Sequence, residues 1–400
     1  MLREKDRASA MATLWWTKKE QLDKDQMALI EKLPLLETFL ILGPPGCGKT
    51  NVLLRRAQFV RGQGMPNVLV LTFTRPLTEF VKTGCLDAQG REIFPQSCVT
   101  TLESWQRMLY KQHQTDLPGP AATLTEWKRQ LAAGAMGFPG QGRIPPYDVL
   151  FIDEAQDLLA EEVELIAQWS PVIFFVGDDR QKIFENTEGL EAVRKVVPPT
   201  HERFLQFHYR IAPEICQVAD RILLPPNGKS LTSTEHYKGP KPGTVRIQPQ
   251  ALTKDRQLEI TADRLRQQIR VYGDLITQGD RLGVIVARKD DRDVVFDYLE
   301  AIPALVGKSK IIRSKEDRDD DYDPSFDSEA PICILTVKGC KGLEFRAVHW
   351  LFADELSYFH KPEHYYTVVT RAKTSLDVCY TNALPQTLAR AHSEIGVTEW

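Results

Sequence analysis

The chain has little of what an exported or membrane-spanning protein needs. Its seven cysteines are odd in number among 400 residues, and no two stand in a Cys-x-x-Cys pair, which argues against a disulfide framework and a zinc ribbon. No apolar run approaches the length of a membrane span. The charged residues between Arg3 and Arg7 leave no apolar core for a signal peptide. We therefore expect a cytoplasmic protein with reduced cysteines and no membrane partner.

A marked excess of charge of either sign is also missing. Lys and Arg together number 51 against 54 for Asp and Glu, which gives a formal net charge of −3. The overall charge neither requires nor excludes a polyanionic partner, so a nucleic-acid site would have to be a locally basic cleft. Because 42% of the residues are hydrophobic, a chain of this length can bury two ordinary cores.

Short β-branched or aromatic runs alternate with helical stretches in two successive series. This alternation predicts an α/β protein of two domains, 1–200 and 201–400, each a doubly wound, mostly parallel sheet flanked by helices. Residues 106–147 and about 299–331 are interpreted as short insertions, the first with room for two short helices and the second with an acidic solvated loop. The predicted strands are 67–73, 148–153, 171–176 and 204–208 in the first series, and 244–247, 282–287, 332–337, 347–352 and 375–380 in the second.

A glycine-rich loop follows directly on the apolar run from Phe39 to Leu42. A buried strand, such a loop and then a helix form a nucleoside-triphosphate site, in which backbone N–H groups face the phosphates. Lys49 would place a cation on the β and γ phosphates, and Thr50 would offer its hydroxyl to Mg²⁺. An accidental glycine-rich turn is the alternative, which the preceding strand disfavours. The expected nucleotide contacts here are Gly43, Pro44, Pro45, Gly46, Cys47, Gly48, Lys49, Thr50 and Asn51.

Two carboxylates follow the predicted strand 148–153. Ligands of open α/β sheets collect at the carboxyl ends of strands. We expect Asp153 to hold Mg²⁺ and Glu154 to orient and deprotonate the attacking water, although a charge pair at a helix N-terminus is the alternative. A second strand ends at Gly177, and Gln181 beyond it has an amide that could report loss of the γ-phosphate.

Further motifs occur in a fixed order along the chain. They are Asp153 to Asp157, Gly177 to Gln181, Tyr209-Arg210, Lys341 to Phe345 and Thr370 to Lys373. Together with the glycine-rich loop, they resemble the superfamily 1 helicases of the UvrD/Rep type, from about Leu22 to Cys379. The resemblance implies two RecA-like domains, ATP and Mg²⁺ as cofactors, and 3′ to 5′ movement along single-stranded DNA.

The same resemblance implies a role for several single residues. Gln26 would read the adenine, Tyr209 would stack on it, Glu344 would hold the ribose, Gly342 would lie against the phosphates, and Arg210 and Arg371 would reach the γ-phosphate. A guanidinium keeps its charge and forks onto phosphate oxygens, so both arginines suit catalysis of phosphoryl transfer. A surface salt bridge is the alternative for each.

Contacts with DNA are expected where the family contacts its strand. These residues are Phe73, Thr74, Arg75, Thr100, Thr101, Phe184, Thr336 and Lys338. Hydroxyls and backbone amides suit phosphate binding and aromatic rings suit stacking on bases, but helix capping or a place in the core is the alternative for each. The chain departs from the family at Glu103 and Lys338, where His is usual, and at Asn186, where a stacking Trp is usual. We therefore expect this chain to stack on DNA bases more weakly than other members of the family do.

Three functions remain open at this point. The first is a DNA translocase or helicase, with feeble unwinding because both insertions are short and with a nuclease as one candidate partner. The second is a nucleic-acid-gated ATPase that switches a partner complex without moving, and the third is an RNA-directed remodeller. The motif from Lys341 to Phe345 favours the first, because it resembles that of the DNA-acting, 3′ to 5′ branch.

Overall fold

The computed structural model describes residue 16 and residues 19–87, 89–181, 188–224, 229–313, 329–356 and 361–393. These residues form two compact units. The N-terminal unit comprises the described part of 16–43 and of 48–206. The C-terminal unit comprises the described residues from Phe207 onward, together with Pro44–Cys47. Apart from Pro44–Cys47, the division between the units falls between Gln206 and Phe207.

A six-stranded sheet forms the centre of the N-terminal unit. Its strands are β1 (Phe39–Leu42), β2 (Val68–Thr72), β3 (Val99–Thr101), β4 (Val149–Ile152), β5 (Ile173–Gly177) and β6 (Glu202–Phe204). They lie in the order β3-β2-β4-β5-β1-β6, and every pairing is parallel. The strands β1, β2, β4 and β5 are buried along their whole length, as expected for a parallel sheet covered by helices on both faces.

Seven α-helices accompany this sheet in the part of the unit that the structure describes. They are α1 (Lys24–Glu31), α2 (Lys49–Gly62), α3 (Arg75–Thr83), α4 (Leu102–His113), α5 (Leu124–Ala135), α6 (Ala160–Trp169) and α7 (Gly189–Val196). Three of them are capped by a threonine that directly precedes the helix and whose hydroxyl accepts a backbone N–H of the first turn: Thr74 before α3, Thr101 before α4 and Thr123 before α5. These caps fix where the helices begin.

The C-terminal unit contains a second six-stranded sheet. Its strands are β7 (Thr244–Ile247), β8 (Leu282–Val286), β9 (Ser309–Ile311), β10 (Ile332–Thr336), β11 (Phe345–Trp350) and β12 (Ala372–Val378), in the order β7-β12-β11-β8-β10-β9. All pairings are again parallel. Its α-helices are α8 (Pro213–Ile222), α9 (Lys254–Val271), α10 (Gly273–Thr277), α11 (Lys289–Glu300), α12 (Pro362–Val369) and α13 (Gln386–Ser393).

The predicted fold class is confirmed, with two parallel α/β sheets, but some strands were misjudged. The prediction of a strand at 204–208 is wrong, because β6 ends at Phe204. The edge strands β3 and β9 were not predicted as strands. Each has only three residues, too few to show an apolar periodicity above that of a loop.

The two segments interpreted as insertions differ in structure. The first holds most of α4 and all of α5, and the hydroxyl of Tyr110 in α4 donates to the carbonyl of Leu131 in α5 at 2.9 Å. Part of the second segment completes the sheet, because β9 pairs with β10. The acidic residues expected to form a loop lie outside the described residues. Among the described helices, none combines the length and the apolar character that crossing a bilayer takes.

Candidate nucleotide-binding site

Three adjacent strands of the N-terminal sheet carry the predicted nucleotide residues at their carboxyl ends. In the order β4-β5-β1, β1 leads into the glycine-rich loop, β4 into Asp153 and Glu154, and β5 into Asp178. Parallel strands end at the same edge of a sheet, so these segments meet there. The N–H of Gly43 donates to the carbonyl of Gly177 at 3.3 Å and joins two of them directly.

The glycine-rich loop has the backbone that anion binding needs. Gly46 and Gly48 have φ values of +73° and +86°, a region that favours glycine. Helix α2 begins at Lys49, and its N-cap residue is Gly48, which makes no side-chain capping hydrogen bond. The ammonium of Lys49 donates to the carbonyl of Gly43 at 2.8 Å and lies 3.7 Å from the carboxylate of Asp178. The N–H groups at a helix start, beside an ammonium, suit phosphate oxygens.

The side chains expected to hold Mg²⁺ contact each other. The hydroxyl of Thr50 donates to Oδ2 of Asp153 at 2.8 Å. Burial, and then the charge of Glu154, raise the pKa of Asp153 to about 7. A hydroxyl beside a carboxylate is the hard-oxygen donor set that Mg²⁺ prefers, so the residues fit this ion.

Glu154 has an unusual backbone conformation for a residue with a side chain. Its φ and ψ are 55° and 44°, in the left-handed region. The carboxylate of Glu154 accepts a hydrogen bond from Nε2 of Gln156. Both residues are buried. Strained backbone of this kind clusters at functional sites.

Gln26 lies beside the glycine-rich loop. It is the third residue of α1, where its side-chain oxygen accepts the N–H of Asp23 at 3.0 Å in a capping box. A Cβ at Gly48 would lie 2.9 Å from Nε2 of Gln26, so a larger residue at 48 would clash with this amide. Asn51, in the first turn of α2, is buried, and its side-chain atoms have no hydrogen-bond partner among the described residues.

Gln181 is the last described residue before the gap at 182–187. Its side chain is buried, and its N–H donates to the carbonyl of Asp178 at 3.3 Å. The turn that begins at Asp178 therefore fixes its position after β5.

Arg210 and Glu344 form an ion pair in the C-terminal unit. Nη1 of Arg210 lies 2.8 Å from Oε2 of Glu344. Burial raises the pKa of Glu344, but Arg210 and neighbouring cations lower it by more, so that it falls to about 2. The Arg210 pKa is raised, chiefly by the charge of Glu344. Gly342, two residues before Glu344, has a φ of +77°.

Tyr209 lies beside the tip of the glycine-rich loop, which belongs to the same unit. Its N–H donates to the carbonyl of Gly46 at 3.3 Å. The ammonium of Lys238 lies 5.0 Å from the centre of its ring. A cation over the ring face contributes a modest attraction.

Arg371 is more deeply placed than Arg210. It is 4% exposed, and its guanidinium donates to the carbonyls of Thr367 and Leu343 and to the hydroxyl of Thr370 at 3.0, 3.1 and 3.3 Å. These bonds tie the end of α12 to the segment just before Glu344. Arg371 therefore supports that segment in this structure.

Sequence reasoning missed a buried charged cluster in the C-terminal sheet. The carboxylate of Asp280 accepts from the guanidinium of Arg346 and from the ammonium of Lys373, at 2.7 and 2.8 Å. Asp280 is fully buried. Burial opposes its ionisation, but Lys373 and Arg346 lower its pKa overall. Lys373 is the last residue of the predicted motif from Thr370 to Lys373, and that motif gave no sign of its contact with Asp280.

The residues expected to contact DNA have several structural roles. Thr74 and Thr101 cap α3 and α4, Thr336 accepts the N–H of Gly339 at 3.2 Å, and Thr100 is half-buried in β3. Arg75 and Lys338 are exposed. The ring of Phe73 lies 4.6 Å from the ammonium of Lys128, which is on α5. Phe184 and Asn186 lie outside the described residues.

Comparison with known proteins finds similarity in part of this chain. A family model described as an AAA domain matches residues 26–187. A stretch of 77 residues, 19% of this chain, is 35% identical to F-box DNA helicase 1 of Gallus gallus and spans only 8% of that protein. The C-terminal domain of a possible DNA helicase from Lactobacillus plantarum WCFS1 is 19% identical, with a TM-score of 0.31, over 46% of this chain and 95% of that one.

Proposed function

We propose that this protein is an ATP-dependent translocase on single-stranded DNA, of the UvrD/Rep type, that moves 3′ to 5′. The observation that carries the proposal is the meeting of Lys49, the Thr50–Asp153 pair and Glu154 beyond the ends of β1 and β4, the two parallel strands that flank β5. The AAA-domain match covers all four residues and supports nucleotide binding. The resemblance to a stretch of a protein named as a DNA helicase supports a nucleic-acid partner.

Nucleotide binding would use groups that already point into the loop. The ammonium of Lys49, 2.8 Å from the carbonyl of Gly43, would donate instead to phosphate oxygens, and the first N–H groups of α2 would face the same phosphates. The other loop residues, 43–48, and Asn51 would line this pocket, Gln26 would read the base, and Tyr209 would stack on it. Thr50 and Asp153 would hold Mg²⁺, which when bound neutralises charge on the phosphates.

Hydrolysis would depend on Glu154 as the base. A buried carboxylate beside the phosphate loop can orient one water and accept its proton. Gln181, which follows the turn at Asp178, would sense whether the γ-phosphate is present. Base and sensor would then act at the ends of neighbouring strands.

Arg210 and Arg371 would serve the γ-phosphate in different ways. The side chain of Arg210 is 26% exposed and pairs with Glu344, and we propose that its guanidinium exchanges this carboxylate for a phosphate oxygen when nucleotide binds. Arg371 is held by three hydrogen bonds, so we propose that it supports the Gly342 to Glu344 segment as well as contributing positive charge. A guanidinium that neutralises the transition state speeds phosphoryl transfer by about 10³ or more.

DNA binding would use the exposed cations and the half-buried ring near the strand ends. Arg75 and Lys338 suit phosphates, and Phe73 suits stacking. Thr74, Thr100, Thr101 and Thr336 would contribute hydroxyls and backbone N–H groups to phosphate binding. Phe184 would add a second ring.

One titration tests the proposal. ATP hydrolysis by the purified chain is measured against increasing single-stranded DNA and, separately, RNA, with Glu154→Gln as the inactive control. Stimulation by DNA supports the proposal, and stimulation by RNA alone would replace it with an RNA remodeller. Stimulation by DNA without displacement of a block on the strand would favour a stationary ATPase switch.

A further inference from the structure

The side chain of Gln156 joins two strand ends of the N-terminal sheet. It lies in the short turn Ala155–Asp157 after β4 and is 1% exposed. Its Nε2 donates to the carboxylate of Glu154, and its Oε1 accepts the backbone N–H of Asp178 at 3.0 Å. A side-chain amide carries both a donor and an acceptor, and Gln156 uses both.

The surroundings hold this amide in one orientation. A Cβ at Gly177 would lie 2.9 Å from Oε1 of Gln156, so the amide packs directly against the end of β5. If the amide were flipped, its NH₂ group would face the Asp178 N–H and its oxygen would face the Glu154 carboxylate. Both contacts would then be repulsive. The buried surroundings would make the loss of either hydrogen bond costly.

The end of β5 also contacts the phosphate side of the site. The carboxylate of Asp178 lies 3.7 Å from the ammonium of Lys49. The side chain of Asp178 therefore faces Lys49, the proposed phosphate-binding cation. Its backbone N–H is linked through Gln156 to Glu154, the proposed base. A shift of Asp178 would change both sets of contacts together.

We propose that Gln156 is a positioning residue for hydrolysis. It holds the Glu154 carboxylate toward the attacking water. It also couples that carboxylate to Asp178, whose position would change when Lys49 binds a phosphate. This inference rests on the proposed ATPase function. Gln156 itself touches neither nucleotide nor water in this scheme.

Two substitutions separate the two hydrogen bonds. Gln156→Met keeps the length of the side chain and loses both bonds. Gln156→Glu keeps an acceptor for the Asp178 N–H but sets a second carboxyl group against Glu154, which repels it or shares its proton. Gln168→Glu is the matched control, because Gln168 is exposed on α6.

We expect both Gln156 variants to lower kcat for ATP by about 10-fold to 100-fold, the usual cost of removing a supporting hydrogen bond, with KM within about threefold. Gln168→Glu should match the wild type. In a Glu154→Gln background, Gln156→Met should add little further loss, because the carboxylate that Gln156 positions is gone. Wild-type kcat in Gln156→Glu, or a full additional loss in the double variant, would overturn the proposal.

Hydrogen exchange provides a readout that does not depend on activity. The amide of Asp178 should exchange faster in Gln156→Met and at the wild-type rate in Gln156→Glu, with thermal unfolding confirming that both variants fold. Unchanged exchange in Gln156→Met would refute the bridge to β5. A wild-type chain that hydrolyses no ATP would refute the proposed function instead, and the exchange result would still decide whether the bridge exists.

Discussion

Nη1 of Arg210 lies 2.8 Å from Oε2 of Glu344, so two residues expected to contact different parts of ATP are bound to each other. Each side chain is about three-quarters buried in this pair. Nucleotide binding would have to separate them before the arginine could reach a phosphate and the glutamate a ribose. If Arg210 and Glu344 have the proposed roles, their ion pair would oppose nucleotide binding.

The contribution of this pair to stability is measurable by a double-mutant cycle. Arg210→Ala, Glu344→Gln and the double variant should show a coupling free energy of about 1 kcal/mol in urea unfolding, as for other residues in direct contact. The sign should favour the wild-type pair. Additive single effects would show that the two charges contribute independently.

The same pair predicts a pH dependence. The Glu344 pKa of about 2 in the folded chain lies below its ordinary value of 4.5. A lowered pKa stabilises the folded state above pH 4.5, and this stabilisation is lost as the pH falls from 4.5 toward 2. The difference in unfolding free energy between wild type and Glu344→Gln should be constant from pH 8 to about 5.5 and shrink below pH 4.5. A difference in unfolding free energy that does not change with pH would contradict an ionised Glu344 in the folded chain.

Substitutions of Arg371 and Arg210 should differ in their effects when stability and hydrolysis are both measured. Arg371→Ala should lower both the melting temperature and kcat, because it removes three buried hydrogen bonds as well as a positive charge. Arg210→Ala should lower kcat by about 10³ or more with a smaller change in melting temperature. If Arg371→Ala lowers only the melting temperature, Arg371 is a purely structural residue.

The chemistry assigned to the strand ends can be tested by two substitutions. Glu154→Gln should preserve ATP binding and nearly abolish turnover, because it removes the base and keeps its shape. Lys49→Ala should weaken both, because the ammonium would contact the phosphates in the ground state as well as in the transition state. Nucleotide affinity and steady-state hydrolysis are measured for each. Near-normal turnover in Glu154→Gln would place the base elsewhere.

DNA affinity should depend on salt through particular lysines. Lys338→Ala should weaken binding of a single strand and reduce the slope of log K against log salt by about 0.7, the value for one phosphate contact on a single strand. Lys195→Ala is the control, because Lys195 is exposed on α7, and this variant should leave the slope unchanged. Equal slopes for wild type and Lys338→Ala would remove Lys338 from the proposed interface.

How far the sequence predicts this structure depends on whether a feature is local. The loop from Gly43 to Thr50 and the strand before Asp153 were predictable, because a short motif and an apolar run define each. The bridge through Gln156 was not, because it depends on β4 and β5 lying side by side. The cluster of Asp280, Arg346 and Lys373 likewise joins residues up to 93 positions apart, and no spacing in the sequence reveals that contact.

The last prediction concerns the direction in which the chain moves along single-stranded DNA. The resemblance of the Lys341 to Phe345 motif to the 3′ to 5′ branch predicts that the chain displaces streptavidin from a biotin at the 5′ end of a single strand faster than from one at the 3′ end. Displacement should fall with added salt, because phosphate contacts supply most of the hold on a single strand. A duplex with a 3′ overhang should open slowly, since the described insertion adds only α4 and α5 to the N-terminal unit. Faster displacement from the 3′ end would overturn the assigned direction, and rapid unwinding would show that these two helices suffice to separate strands.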